Sequence, residues 1–191
     1  MGKSTTARMF ADAGVPVFDA DAAVHELYAK GGKAVPLIRA VFPDAVQDGA
    51  VVRDVLAAHM RSDPLNLPVL ESFIHPMVAE TRAEFLRDNA SAPAVLFDVP
   101  LLFETGGDAR MDTTVVVTCS PETQAERVLA RPGMSEEKFH ALLARQMPDA
   151  QKRARADFVI STENGLDEAR RQVQSVLESL GLDHGGQNGR D

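Results

Sequence analysis

Four residues near the start of the chain, Gly2-Lys3-Ser4-Thr5, have the types and order needed to hold a phosphate chain. Backbone N–H groups at a helix N-terminus lack helical partners, and the helix dipole favours an anion there. A lysine beside them can reach the β- and γ-phosphates of a nucleotide, and a hydroxyl such as that of Ser4 can ligate Mg²⁺. The full phosphate-loop motif needs another glycine five residues before Gly2, where the chain offers only Met1. A plain helix start uses the same four residues, so their meaning depends on what surrounds them.

Two carboxylates come next. Asp19-Ala20-Asp21 ends the apolar run Val15-Pro16-Val17-Phe18. If the run is a strand, residues two apart share a face, at the end where parallel sheets bind ligands. An aspartate there serves phosphoryl transfer by orienting an attacking hydroxyl and accepting its proton. A turn in which Asp bonds its own backbone is the alternative. Asp98 closes a second apolar run, Ala94 to Phe97, where an acid that holds Mg²⁺ would stand; a cap or loop hydrogen bond is the other reading. From Arg127 to Arg155 the chain carries seven Lys/Arg against three Asp/Glu, a local +4 within a net charge of −8. Arg127, Arg131, Arg145, Lys152, Arg153 and Arg155 are candidates to clasp phosphate oxygens, because guanidinium forks match that geometry. A solvated helix face explains the same island.

The elements that must position these groups alternate. Ser4 to Ala13 has helical spacing and stops at Gly14, and Val15 to Phe18 reads as a buried strand. A mostly helical stretch from Ala22 to Asn89 is broken at Gly31-Gly32, Pro43-Asp44, Asp48-Gly49, Asp63-Pro64 and His75-Pro76. Ala94 to Asp98, Thr113 to Thr118 and Ala156 to Ile160 are unalternating strands, as expected when helices cover both faces of a parallel sheet. Ser120-Pro121-Glu122 and Ser135-Glu136-Glu137 open helices with a capping hydroxyl and first-turn acids. Leu166 to Leu180 closes the pattern, which is that of an α/β fold with a parallel sheet. The chain has 191 residues and a single cysteine, Cys119, which cannot form an internal disulfide and fits a reducing cytoplasm. No apolar run is long enough to span a bilayer, and the acidic balance argues against general nucleic-acid binding.

Taken together, these residues resemble the bacterial dephospho-coenzyme A kinase family. The resemblance rests on Gly-Lys-Ser-Thr, GVPVFDAD (14–21), IHPMV (74–78), FDVPLLFE (97–104), VVVTCSPETQAERVLAR (115–131) and RQMPDAQKRARADFVIS (145–161). It implies a three-layer P-loop kinase fold: a nucleotide-binding core (1–27, 90–131 and 155–181), a helical insertion for dephospho-coenzyme A (28–89) and a lid (132–154). Residues 182–191 are expected to form a disordered tail. The implied reaction moves the γ-phosphoryl of ATP, with Mg²⁺, to the ribose 3′-hydroxyl of dephospho-coenzyme A. By resemblance, Asp21 is the general base with Asp19 in support, while Lys3 and Arg145 act on the moving phosphoryl group. Gly2, Lys3, Ser4, Thr5, Arg131, Asn164 and Gly165 bind the nucleotide. Asp19, His75, Leu101, Phe103 and Glu104 line the acceptor pocket, and Ser4 and Asp98 hold the metal. Ser161-Thr162-Glu163 departs from the family, in which Asp or Asn often follows the last strand.

The family also begins with a central strand and a Gly-x-x-Gly-x-Gly-Lys-Ser turn. That strand and the earlier glycines have no counterpart before Gly2. Losing four or five buried apolar side chains costs roughly 6–15 kcal/mol, against a whole-domain margin of about 5–15 kcal/mol. The sequence therefore creates the expectation of an N-terminally truncated enzyme of doubtful activity, whose natural product starts about ten to fifteen residues upstream. Another P-loop small-molecule kinase, acting on a nucleoside monophosphate or shikimate, and an inactive nucleotide-binding remnant are the competing readings. Oligomeric state is not legible from the sequence.

Overall fold

In the computed structural model, α1 (Lys3–Asp12) buries Thr6, Met9 and Phe10 at helical spacing. It stops where the Val15 N–H bonds the Phe10 carbonyl and the Gly14 N–H bonds the Ala11 carbonyl, a paired cap built around left-handed Gly14. The structure describes residues 1–182, so the expected tail from 183 onward lies outside the described residues. Two compact units emerge: Met1–Val17 with the described residues from Asp98 on, and Phe18–Phe97.

The first unit holds α1 and the parallel pair β5 (Val115–Thr118) and β6 (Phe158–Ser161), in register from Val115–Phe158 to Thr118–Ser161. Parallel neighbours need a long crossover, here α6 (Pro121–Leu129), α7 (Glu136–Leu143) and α8 (Asp149–Arg155). Ser120 and Ser135 cap α6 and α7 as the sequence anticipates, accepting from the Thr123 and Lys138 amides. The helix α8 lies in the segment read from sequence as a lid and runs one residue past it to Arg155, with Asp149 in its first turn and Lys152, Arg153 and Arg155 in its last, matching its dipole. A closing helix, α9 (Leu166–Ser179), buries Ala169, Val173, Val176 and Leu177. Its Gln172 side chain accepts from the Ser161 N–H at 2.8 Å and donates to the Ser161 carbonyl at 3.0 Å. These bonds satisfy strand groups that would otherwise be orphaned.

The second unit packs Leu27, Ala34, Ile38, Phe42, Ala45, Leu56, Leu70 and Ile74 into one apolar cluster. They come from α2 (Ala20–Tyr28), α3 (Val35–Val41), α4 (Arg53–Ser62) and α5 (Asn66–Asp88) with the segments joining them. A hairpin of β2 (Val46–Gln47) and β3 (Ala50–Val51) turns through Asp48 and Gly49, both at positive φ. Two-residue strands are too short to show periodicity, so the sequence pattern registers only the turn. The expected break at His75-Pro76 is absent: α5 runs through Pro76 for 23 residues. Buried Leu70 and Ile74 anchor the turns leading into the proline, and packing outweighs the loss of one backbone donor. Phe97 of β4 (Leu96–Asp98) meets Phe18 of β1 (Val17–Asp19) and Phe85 of α5 edge to face, while Phe18 and Phe85 are tilted to each other, with centroids 5.4–6.1 Å apart.

Strands β1 and β4 form one ladder, β5 and β6 another, and among the described residues no ladder joins the two pairs.

Candidate functional site

Gly2 precedes α1 at φ +87, a left-handed conformation that a residue with a Cβ adopts only with strain. No side chain caps the helix, no acid lies in its first turn, and Ser4 and Thr5 are exposed. The start of α1 therefore keeps unpaired N–H groups facing outward, as anion binding requires. Lys3 forms an ion pair with Asp98, whose side chain is 5% exposed against 42% for the lysine. Residues 95 apart in sequence thus meet beside the helix start. A buried carboxylate and an exposed hydroxyl are hard oxygen donors, a set that suits a Mg²⁺ ion otherwise ligated by phosphates and water.

A second cluster lies in the same unit. Glu104 Oε1 accepts from the Met147 N–H at 2.8 Å and pairs with Lys152 Nζ at 2.8 Å. Its other oxygen is buried without a partner. Burial pushes the Glu104 carboxyl up, but the Lys152 ammonium and the Met147 amide outweigh it and hold it below the ordinary range. Nearby, Arg155 pairs with Asp108 at 2.5 Å and lies 5.1 Å from the centre of the Phe103 ring. Phe103 is buried, whereas Leu101 is 37% exposed. Met147, Asp149 and Lys152, with Met1, border a pocket of about 200 Å³.

The basic island divides by partner. Arg127 gives both terminal nitrogens to Thr162, and Arg153 pairs with Asp149 at 2.9 Å. With Lys152 and Arg155 also paired, these four are structural cations here and not the open phosphate clasp read from sequence. Arg131 and Arg145 are exposed and make no side-chain hydrogen bond or ion pair among the described residues. Asn164 and Gly165 are exposed, Gly165 at the N-cap of α9. Glu163 beside them accepts from the Ser120 N–H (2.7 Å), the Ser120 hydroxyl (3.0 Å) and the Thr123 hydroxyl (2.7 Å). Those donors, the Ser120 amide first, hold its carboxyl below the usual carboxylate range.

In the second unit, the strand argument for Asp19 and Asp21 fails. The chain leaves β1 at Asp19 and enters α2 at Ala20, so the two are not on one strand face. Asp19 Oδ1 caps α2, accepting from the Asp21 and Ala22 amides at 2.9 and 3.0 Å. The carboxylate of Asp21 is exposed and has no partner among the described residues. His75 is exposed on α5. Sequence reasoning gave no role to Thr162, noted only as part of a departure from the family, or to Asp108; their partners lie 35 to 161 and 47 residues away and leave no local signal.

A family model described as Dephospho-CoA kinase matches residues 1–168. The chain belongs to the dephospho-CoA kinase family. A dephospho-CoA kinase of Rhodopseudomonas palustris (strain ATCC BAA-98 / CGA009) is 54% identical, over 94% of this chain and 90% of the relative. The crystal structure of TT1252 from Thermus thermophilus superposes with a TM-score of 0.78 at 37% identity, covering 94% of this chain and 92% of that one. The dephospho-CoA kinase from Campylobacter jejuni shares the α/β fold, with a TM-score of 0.64 at 20% identity over 94% of this chain and 91% of its own. Among the described residues of this dephospho-CoA kinase family member, no helix is long and apolar enough to cross a membrane.

Proposed function

We propose that this chain transfers the γ-phosphoryl group of ATP to the ribose 3′-hydroxyl of dephospho-coenzyme A, giving coenzyme A and ADP. One observation carries the site: at the uncapped start of α1, Gly2 is left-handed and Lys3 stands against buried Asp98. Family membership supports the choice of acceptor.

The β- and γ-phosphates lie against the amides of Gly2 to Thr5, and Lys3 swings from Asp98 to their oxygens. Ser4 and Asp98 would hold Mg²⁺, which would offset negative charge on the phosphates. Asp21 takes the proton from the 3′-hydroxyl as its oxygen bonds the γ-phosphorus, and the bond to the β–γ bridging oxygen breaks to release ADP. Asp21 suits this role better than Asp19 because its carboxylate is open, while Asp19 Oδ1 already holds two amides. Arg131 and Arg145, unpaired and exposed, close on the phosphates as charge develops on the equatorial oxygens. Asn164 and Gly165 meet the adenine. Asp19, His75, Leu101, Phe103 and Glu104 serve the acceptor, with Glu104 limited to its one unpartnered oxygen. The reaction belongs in the cytoplasm.

The test supplies γ-labelled ATP, Mg²⁺ and dephospho-coenzyme A to the protein. Label should reach the 3′-position of coenzyme A. Transfer to shikimate or a nucleoside monophosphate instead, or to no acceptor, would overturn the proposal.

A further inference from the structure

The turn before α1 rests on Thr162, a residue just beyond β6 that is 8% exposed. Its N–H continues the parallel ladder to the Thr118 carbonyl at 2.9 Å. Its hydroxyl lies 2.8 Å from the Met1 carbonyl and 3.2 Å from the Thr118 carbonyl. Arg127 of α6 donates Nη1 to that hydroxyl at 2.8 Å and Nη2 to the Thr162 carbonyl at 2.9 Å. A hydroxyl has one proton to give. With the guanidinium, a donor only, occupying an acceptor position, the proton turns toward a carbonyl, and Met1 is the nearer. The methyl group of the same side chain faces the next residue: a Cβ at Gly2 would stand 3.2 Å from Thr162 Cγ2. Thr162 therefore holds the Met1–Gly2 peptide at its carbonyl and limits it at its α-carbon.

We propose that Thr162, oriented by Arg127, is a positioning residue that aims the amides of Gly2 to Thr5 at the nucleotide phosphates. The orientation of the Met1–Gly2 peptide fixes where the next N–H groups point, and anion binding depends on their convergence. Thr162 is buried and acts through the Met1–Gly2 peptide. The inference rests on the proposed phosphate site at Gly2, so its test must separate the two.

A buried threonine that only satisfies its own bonds lowers stability and weakens every ligand alike. A positioning residue weakens ligands that carry the phosphates and spares those that lack them. Inhibition constants of ADP and of adenosine, measured against ATP on the full chain, distinguish these cases. For Thr162→Val the ADP constant and the KM for ATP should rise about tenfold, the scale of one lost hydrogen bond in a buried site. The adenosine constant should stay within about twofold, and Thr162→Ser should recover ADP binding. Valine leaves the Arg127 nitrogen and the Met1 carbonyl without a partner. If that variant does not fold, Thr162→Ala, which leaves room for a water between them, is measured with the same expectation. Parallel weakening of ADP and adenosine, or unchanged ADP binding, overturns the positioning role while leaving the phosphate site intact. Wild-type protein that binds ADP no better than adenosine would defeat the phosphate site, and this inference with it.

Discussion

Asp19 and Asp21 stand two residues apart, yet their carboxylates are committed differently. Asp19 caps a helix, while Asp21 faces solvent from the first turn of α2. Asp21→Ala should therefore lower kcat by about 10²–10⁴, the usual range for general-base loss. ATP binding, read by calorimetry, should change little; a variant with wild-type turnover would remove Asp21 from the chemistry. Glu104 makes a prediction about pH. Its carboxyl lies below the ordinary value of 4.5 in the folded protein, where Lys152 and the Met147 amide hold it. Between the folded and unfolded values, the unfolded chain binds more protons, so stability rises with pH across that window. This contribution is complete above about 4.5 and is lost as pH falls through the lowered folded value. Urea midpoints measured from pH 3 to pH 6 should show a shallower acid slope for Glu104→Gln than for wild type. Equal slopes would mean that the Glu104 contacts do not hold its charge in solution.

At the scale of elements, α5 carries a proline in its interior without ending. A proline there removes one backbone hydrogen bond and costs about 3 kcal/mol relative to alanine in an exposed helix. The buried contacts of Leu70 and Ile74 compensate for it in the folded state. Pro76→Ala should stabilise the chain by about 1–3 kcal/mol, as a higher urea midpoint with unchanged slope. A lower midpoint would show that the ring packs well enough to repay its missing donor. The paired cap of α1 and the serine caps of α6 and α7 need no such compensation, because each turn bonds its own ends.

At the scale of the molecule, each of the two units contains one of the two largest fully buried side chains among the described residues, Ile38 and Ile160. Truncating either leaves a cavity that close packing cannot collapse. Ile38→Ala should cost about 2–5 kcal/mol. Hydrogen exchange should show lost protection in α3, α4 and α5, which share its cluster. Ile160→Ala should instead expose amides of β5, β6 and α9. Uniform loss over the chain from both variants would mean that the two units open as one.

What the sequence determined alone is short-range. The capping serines, the stop at Gly14, the β5 and β6 runs and the family motifs all act within a few residues, where backbone sterics and local hydrogen bonds decide the outcome. Even there, Asp19-Ala20-Asp21 carried two local solutions, and the helical one prevailed because Asp19 caps the helix that begins at Ala20. The unexpected hairpin at Asp48-Gly49 was visible only as a turn. Tertiary structure alone decided which charges are free. Lys152 and Arg155 look like Arg131 and Arg145 in the sequence, but Glu104 and Asp108 occupy the first two. Lys3 meets Asp98 and Thr162 meets Met1 across 95 and 161 residues. Such pairings depend on where the folded chain brings distant segments together, and no property of the residues taken singly encodes that meeting.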